Sequence, residues 1–226
     1  MVTSTTSIEM PARAASRQLE IEAVPGFRYY PGFLSAQSAS VLVAEVLALV
    51  EEAPFYRPVM PRSGQPLRNR MTNLGPLGWI SDIKGYRYDA VHPVTGKPWP
   101  DIPRSVGALW DSLADYPHPP EACLVNYYEG ENAKLGLHID ADELAVNAPV
   151  VSISLGDTAL FRLGGPERKS LTQSMRLSSG DVVILGGASR RFYHGVDRIY
   201  PGTSRLVPGG GRINLTLRRV TAPVNG

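Results

Sequence analysis

A chain of 226 residues can bury a core without disulfide or metal staples, and its 43% apolar content excludes an intrinsically disordered protein. Lys plus Arg at 23 against Asp plus Glu at 21 leaves a net charge of +2, which excludes a broad basic wrapper and confines any nucleic-acid contact to a local patch. The single cysteine, Cys123, excludes an intrachain disulfide and a thiolate metal cluster. No stretch is apolar enough for a membrane helix and the first twenty residues hold no signal-type apolar run, so the chain reads as cytoplasmic.

Residues 1–17 read as a flexible N-terminal arm and 18–226 as one domain, in which helices and a cover over 18–120 precede a strand-rich core over 121–220. Fifteen of the twenty prolines fall before residue 121 and fourteen of the twenty-two glycines after it, the pattern of loops and helices followed by tightly turned strands. Ser35 can cap a helix through about Glu52, because Ala39, Leu42, Val43, Val46, Leu47 and Val50 recur at three- and four-residue steps. A second helix begins with Pro103 in its first turn and carries Val106, Leu109, Trp110 and Leu113 on one side. Between them, residues 54–100 are proline-rich and aromatic, with Trp79, Tyr86, Tyr88 and Trp99, and read as a structured cover.

From Ala122 the pattern turns to period two. Strands are predicted at 123–128, 134–140, 150–155, 159–163, 175–177, 181–185, 191–196 and 212–220, most of them separated by glycine-containing turns. Eight short strands in about a hundred residues predict a jelly roll: an all-β-dominated α+β fold, a double-stranded β-helix with N-terminal helices, its two sheets packed around a pocket.

The polar residues that alternate along these strands carry the chemistry. In Lys134-Leu-Gly-Leu-His-Ile-Asp140, a strand would point His138 and Asp140 to one side, offering an imidazole and a carboxylate to one ion. A hydrogen-bonded pair at a strand end explains the same spacing. His92 and His118 sit beside prolines, which leaves His194 as the second imidazole. Two imidazoles and a carboxylate suit the open face of a non-haem Fe(II) site; zinc or another divalent ion would accept them too. On Arg212-Ile-Asn-Leu-Thr-Leu-Arg218, one face holds Arg212, Asn214, Thr216 and Arg218. That is ordinary alternation for a solvated outer face, or two guanidinium forks for a small dicarboxylate. Asn126 and Tyr128 form a further polar pair on an apolar strand, and Asp142 with Glu143 near a turn read, by themselves, as solvated surface.

Asn126-Tyr-Tyr128, Leu137-His-Ile-Asp-Ala-Asp-Glu143, Gly180-Asp-Val-Val-Ile-Leu-Gly-Gly187, Phe192-Tyr-His-Gly195 and Arg212-Ile-Asn-Leu-Thr-Leu-Arg218 resemble the AlkB family of Fe(II)/2-oxoglutarate dioxygenases, most closely its bacterial DNA-repair branch. Upstream, Met71-Thr-Asn73, Gly78-Trp79, Gly85-Tyr-Arg-Tyr88 and Lys97-Pro-Trp-Pro100 extend the resemblance over residues 70–220. It implies that His138, Asp140 and His194 bind iron and that Asn126, Tyr128, Arg212, Asn214 and Arg218 hold 2-oxoglutarate. Trp79, Tyr86, Tyr88, Asp142 and Arg168 would contact the damaged nucleotide, although the turn around Arg168 departs from the family pattern. The implied reaction uses O₂ and 2-oxoglutarate to demethylate N1-methyladenine or N3-methylcytosine, releasing formaldehyde, succinate and CO₂. The implied partner is alkylated DNA, single-stranded or with its base flipped, bound by a monomer. Two alternatives share these residues: the same chemistry on RNA or a protein side chain, and a non-enzymatic barrel that binds damage. Arg57, Arg62, Arg68, Arg70, Lys84, Arg168 and Lys169 are the candidate phosphate contacts.

Overall fold

The computed structural model describes residues 19–20 and 24–222; the predicted arm over 1–17 lies outside them. In chain order the elements are β1 (Leu19–Glu20), β2 (Phe27–Tyr30), α1 (Ala36–Val50), β3 (Arg70–Leu74), β4 (Gly78–Asp82), β5 (Gly85–Asp89), α2 (Arg104–Leu113), β6 (Ala122–Tyr128), β7 (Leu135–His138), β8 (Val150–Gly156), β9 (Thr158–Leu163), β10 (Gln173–Leu177), β11 (Val182–Leu185), β12 (His194–Tyr200) and β13 (Arg212–Arg218). Strands order as β1-β2-β11-β8-β13-β6-β3 in a seven-stranded sheet and β10-β9-β12-β7 in a four-stranded one, with β4 and β5 forming a separate hairpin.

The large sheet is buried on both faces, and period two divides its residues between two cores. Val125, Val151, Ile153, Ile184, Ile213, Leu215 and Leu217 pack against Leu42, Val43 and Val46 of α1 and Leu109 and Trp110 of α2. Residues of the opposite parity on β6, β8, β11 and β13 turn toward the small sheet and line a cavity between the sheets. The solvated outer face considered for Arg212–Arg218 is therefore absent: all seven residues are buried, because helices cover one side and the second sheet the other. Both helices form where their apolar spacing predicts. Ser35 Oγ accepts from the Ser38 backbone N–H at 3.1 Å as the cap of α1, and Pro103 takes the cap position of α2 rather than a place in its first turn.

Several strand bounds shift: β10 spans 173–177 rather than 175–177, and β13 ends at Arg218 rather than at 220. Residues 134–140 shorten to β7, so Asp140 sits beyond the strand end. Residues 187–191 wind into a 3₁₀ turn, where Ser189 bonds back to Gly186, and the strand starts only at His194 and runs on to Tyr200. Within the cover, β3 joins the large sheet beside β6, and Asn73 anchors the β4–β5 hairpin by accepting from the Trp79 backbone N–H and donating to the Trp79 carbonyl.

Candidate active site

Strands β7 and β12 pair antiparallel with His138 directly opposite His194, which sets their ring centroids 4.5 Å apart. Each ring is turned by its own backbone: His138 Nδ1 lies 2.9 Å from the Gly136 carbonyl and His194 Nδ1 lies 3.0 Å from the Phe192 carbonyl. A carbonyl only accepts, so both Nδ1 atoms donate, and in the neutral, ligating form of each ring Nε2 is the atom that presents a lone pair. Those lone pairs face the Asp140 carboxylate at 3.6 and 3.9 Å, and the three donor atoms lie within 4.8 Å of one another. Three electron-pair donors converging with no proton between them is the arrangement a divalent cation relieves, and it fits Fe(II). Gly195 makes the strand pairing possible. A Cβ there would lie 2.6 Å from the Leu135 carbonyl oxygen, so any larger residue would push β12 and its histidine off β7.

Charges around the cluster keep the ligand forms ready. Burial alone would raise the Asp140 carboxyl, but the Arg218 guanidinium and the two imidazoles hold it well below the usual carboxylate range. Burial, assisted by His138, pushes the His194 imidazole down to about 4, so it is neutral near pH 7.

A second cluster lies along β6 and β13. Arg212 is 1% exposed, yet it meets no carboxylate: it donates to the Asp157 and Leu177 carbonyls and to Ser154 Oγ, and its Nε has no partner. Burial pushes its pKa down to about 10, which still leaves a cation at neutral pH. Burial also pushes the Tyr128 hydroxyl up to about 12, so it remains a donor. Arg218 differs, because Nε and Nη2 both bond Asp140 Oδ2 at 3.0 and 2.8 Å while Nη1 is buried without a partner. Asn214 lines the cavity, but its NH₂ is spent on Ser152 Oγ and the Ile153 carbonyl. Thus the two arginines that the sequence places on one face differ: Arg218 steadies Asp140 and keeps Nη1 unpartnered, while Arg212 meets no carboxylate and keeps Nε unpartnered. Orphaned cationic N–H groups in a closed space fit a small carboxylate.

The cavity holds about 260 Å³, and Trp79, Tyr86, Asp142, His138 and Asp140 are among its walls. Trp79 and Tyr86 stack with centroids 5.5 Å apart, and the Trp79 indole N–H donates to Asp142 at 2.7 Å. Two expected nucleotide contacts lie elsewhere. The Tyr88 hydroxyl is turned inward onto Glu143 Oε1 at 2.5 Å, and Arg168 lies 6.0 Å over the Tyr193 ring on the β9–β10 loop; neither belongs to the cavity wall. Glu143, which the sequence alone reads as solvated, is 5% exposed and pairs with Arg190 at 2.9 Å, while Arg190 also donates to the Asp140 carbonyl. Glu143 and Arg190 thus hold the backbone of Asp140. Their partners are 47 and 50 residues apart in sequence, so local spacing could not reveal them.

The chain matches the model of the 2OG-Fe(II) oxygenase superfamily over residues 26–218. It is 55% identical to the "Alpha-ketoglutarate-dependent dioxygenase AlkB homolog" of Caulobacter vibrioides over 87% of this chain and 88% of that one. The chain belongs to the AlkB family of Fe(II)/2-oxoglutarate-dependent dioxygenases. Within that family it is also 42% identical to Escherichia coli AlkB over 70% of this chain and 74% of that one. The solved structure of OsALKBH1 superposes with a TM-score of 0.74 at 32% identity, covering 89% of this chain and 99% of that one. The jelly roll, the enzyme class and the use of Fe(II) and 2-oxoglutarate follow from this membership.

Proposed function

We propose that this AlkB-family enzyme demethylates N1-methyladenine and N3-methylcytosine in DNA, preferring single strands, and works as a cytoplasmic monomer. The observation that carries this reading is the Trp79–Asp142 pair on the wall of the same cavity as the His138–Asp140–His194 cluster. Both bases become cationic on methylation, and a flat indole held to a carboxylate matches a flat cation. The names "Alpha-ketoglutarate-dependent dioxygenase AlkB" and "DNA N(6)-methyladenine demethylase ALKBH1C", borne by relatives, support a nucleic-acid substrate.

In this reading His138, Asp140 and His194 hold Fe(II). Asn126, Tyr128, Arg212 and the free Nη1 of Arg218 hold 2-oxoglutarate, while Asn214 keeps Ser152 and Thr216 in place beside them. Bound iron and 2-oxoglutarate supply the oxidation: O₂ hydroxylates the N-methyl carbon, 2-oxoglutarate leaves as succinate and CO₂, and the hydroxymethyl group is lost as formaldehyde. The residues of the chain do the positioning. Arg218 restrains one oxygen of Asp140, Glu143 and Arg190 fix the loop that carries it, and Trp79 supplies a face on which an unstacked base can rest. Tyr88 braces that loop through Glu143 rather than touching the nucleotide. The apolar wall of Leu67, Met71 and Leu124 excludes water around the methyl group.

The test incubates the protein with Fe(II), 2-oxoglutarate and oligonucleotides carrying one methylated base, in single- and double-stranded DNA and in RNA, and follows oligonucleotide mass and formaldehyde. Loss of 14 mass units per methyl, roughly one CH₂, fastest on single-stranded DNA, is expected. Equal or faster turnover on RNA would move the reading to RNA repair. Unchanged mass on every strand would remove nucleobase demethylation.

A further inference from the structure

We propose that Asn69 is a positioning residue for the co-substrate: it captures the side-chain oxygen of Asn126 and so turns the Asn126 NH₂ toward 2-oxoglutarate. The inference rests on the reading above that Asn126 faces the co-substrate. Asn69 lies in the bend immediately before β3, two residues from Met71, which lines the cavity and is the register partner of Asn126 on β6. Its Nδ2 donates to Asn126 Oδ1 at 2.6 Å, and both side chains are buried, at 1% and 3% exposure.

A carboxamide has two unlike ends. Left free to rotate, Asn126 could present its oxygen to a carboxylate, which accepts hydrogen bonds and cannot donate them. With the oxygen engaged by Asn69, the NH₂ is the end left for the cavity. It joins the unpartnered Nε of Arg212 and Nη1 of Arg218 as a set made only of donors. Packing does not account for Asn69, because its own Oδ1 is buried without a partner. An apolar side chain of the same shape would avoid that orphan. The retained amide is explained by what its NH₂ does to Asn126.

The experiment titrates 2-oxoglutarate into the full chain loaded with Mn(II), which does not turn over, and reads the affinity by calorimetry. Wild type is compared with Asn69→Leu, Asn69→Asp, Asn126→Leu and the double variant Asn69→Leu/Asn126→Leu. Asn69→Asp is nearly isosteric, offers only acceptors and draws the Asn126 NH₂ away; it also covers the case in which Asn69→Leu does not fold. Both Asn69 variants are expected to weaken 2-oxoglutarate roughly tenfold. Mn(II) affinity and the Kd for a methylated oligonucleotide should stay within about twofold, and the double variant should bind 2-oxoglutarate no more weakly than Asn126→Leu alone. If Asn126→Leu weakens binding while both Asn69 variants bind as wild type, or if the two losses simply add, the positioning role fails. If Asn126→Leu itself leaves the affinity unchanged, Asn126 leaves the co-substrate site and the proposal falls with it.

Discussion

At the scale of single residues, the site separates charge from shape. Asp142 does two things at once: it accepts the Trp79 indole N–H and it places a carboxylate at the edge of the indole. Asp142→Asn keeps an oxygen for the indole and removes only the charge. Turnover of cationic N1-methyladenine should fall roughly tenfold in kcat/KM, while a neutral alkylated base in the same oligonucleotide changes less than about twofold. Equal losses on both substrates would show that Asp142 acts through Trp79 instead. The His194 imidazole gives a second residue-level expectation. Its pKa is about 4 in the fold and 6.5 in the unfolded chain, so the unfolded chain binds its proton first as the pH falls. Metal-free protein should therefore keep this stability in full above pH 6.5 and lose up to about 3 kcal/mol of it between pH 6.5 and 4. Denaturant midpoints in EDTA, for wild type against His194→Gln at pH 7.5 and pH 5, check this; a gap between the two that does not narrow at pH 5 would refute it. The residues of the metal cluster were legible in the sequence because their types are scarce: four histidines, two of them beside prolines, leave few combinations. Asn69, Glu143 and Arg190 were not, since each is defined by a partner 47 or more residues away.

At the scale of elements, the antiparallel pairing of β7 with β12 brings the two imidazoles to a centroid distance of 4.5 Å, tilted by 51°, and Gly195 is the residue that permits it. Gly195→Ala puts a methyl 2.6 Å from the Leu135 oxygen and 3.0 Å from Gly136, whereas a methyl at Gly136 meets nothing within 4 Å. Gly195→Ala is expected to cost about 1–3 kcal/mol and to weaken Mn(II) binding, because the strand that carries His194 must move. Gly136→Ala should stay within about 0.5 kcal/mol on both measures. If the two variants bind Mn(II) alike, the register of β12 does not set the site. Periodicity found the long elements, α1, α2, β8 and β13, because their apolar residues recur over two or more turns or pleats. It missed β2, β3, β4 and β5, which have only four or five residues each, too short for a period to show, and which side-chain bonds help to set, as where Asn73 holds Trp79. It also read residues 191–196 as a strand. Only its second half is strand: Arg191 ends a 3₁₀ turn that Ser189 closes onto Gly186, and the aromatic pair Phe192 and Tyr193 leads from that turn into β12 at His194.

At the scale of the whole molecule, a net charge of +2 limits how the enzyme meets a polyanion. Several candidate phosphate contacts are already engaged: Arg70 pairs with Glu129 at 3.2 Å and lies 5.0 Å over Tyr127, and Arg57 reaches toward the Leu67 and Arg68 carbonyls. Residues of the β4–β5 hairpin likewise neutralise one another, since Arg87 pairs with Asp82 at 2.9 Å and Asp89 at 3.7 Å. Few candidate cations remain for the strand, so affinity is expected to come largely from the one nucleotide in the cavity. Two measurements follow on one oligonucleotide. For about three phosphate contacts, the slope of log affinity against log salt should be near −2 on single-stranded DNA. Trp79→Ala should cost about 1–3 kcal/mol of binding, the worth of one stacked base, and leave that slope unchanged. A slope several times steeper, or a Trp79→Ala variant that binds as wild type, would place the affinity on the backbone and contradict recognition centred on a single flipped base.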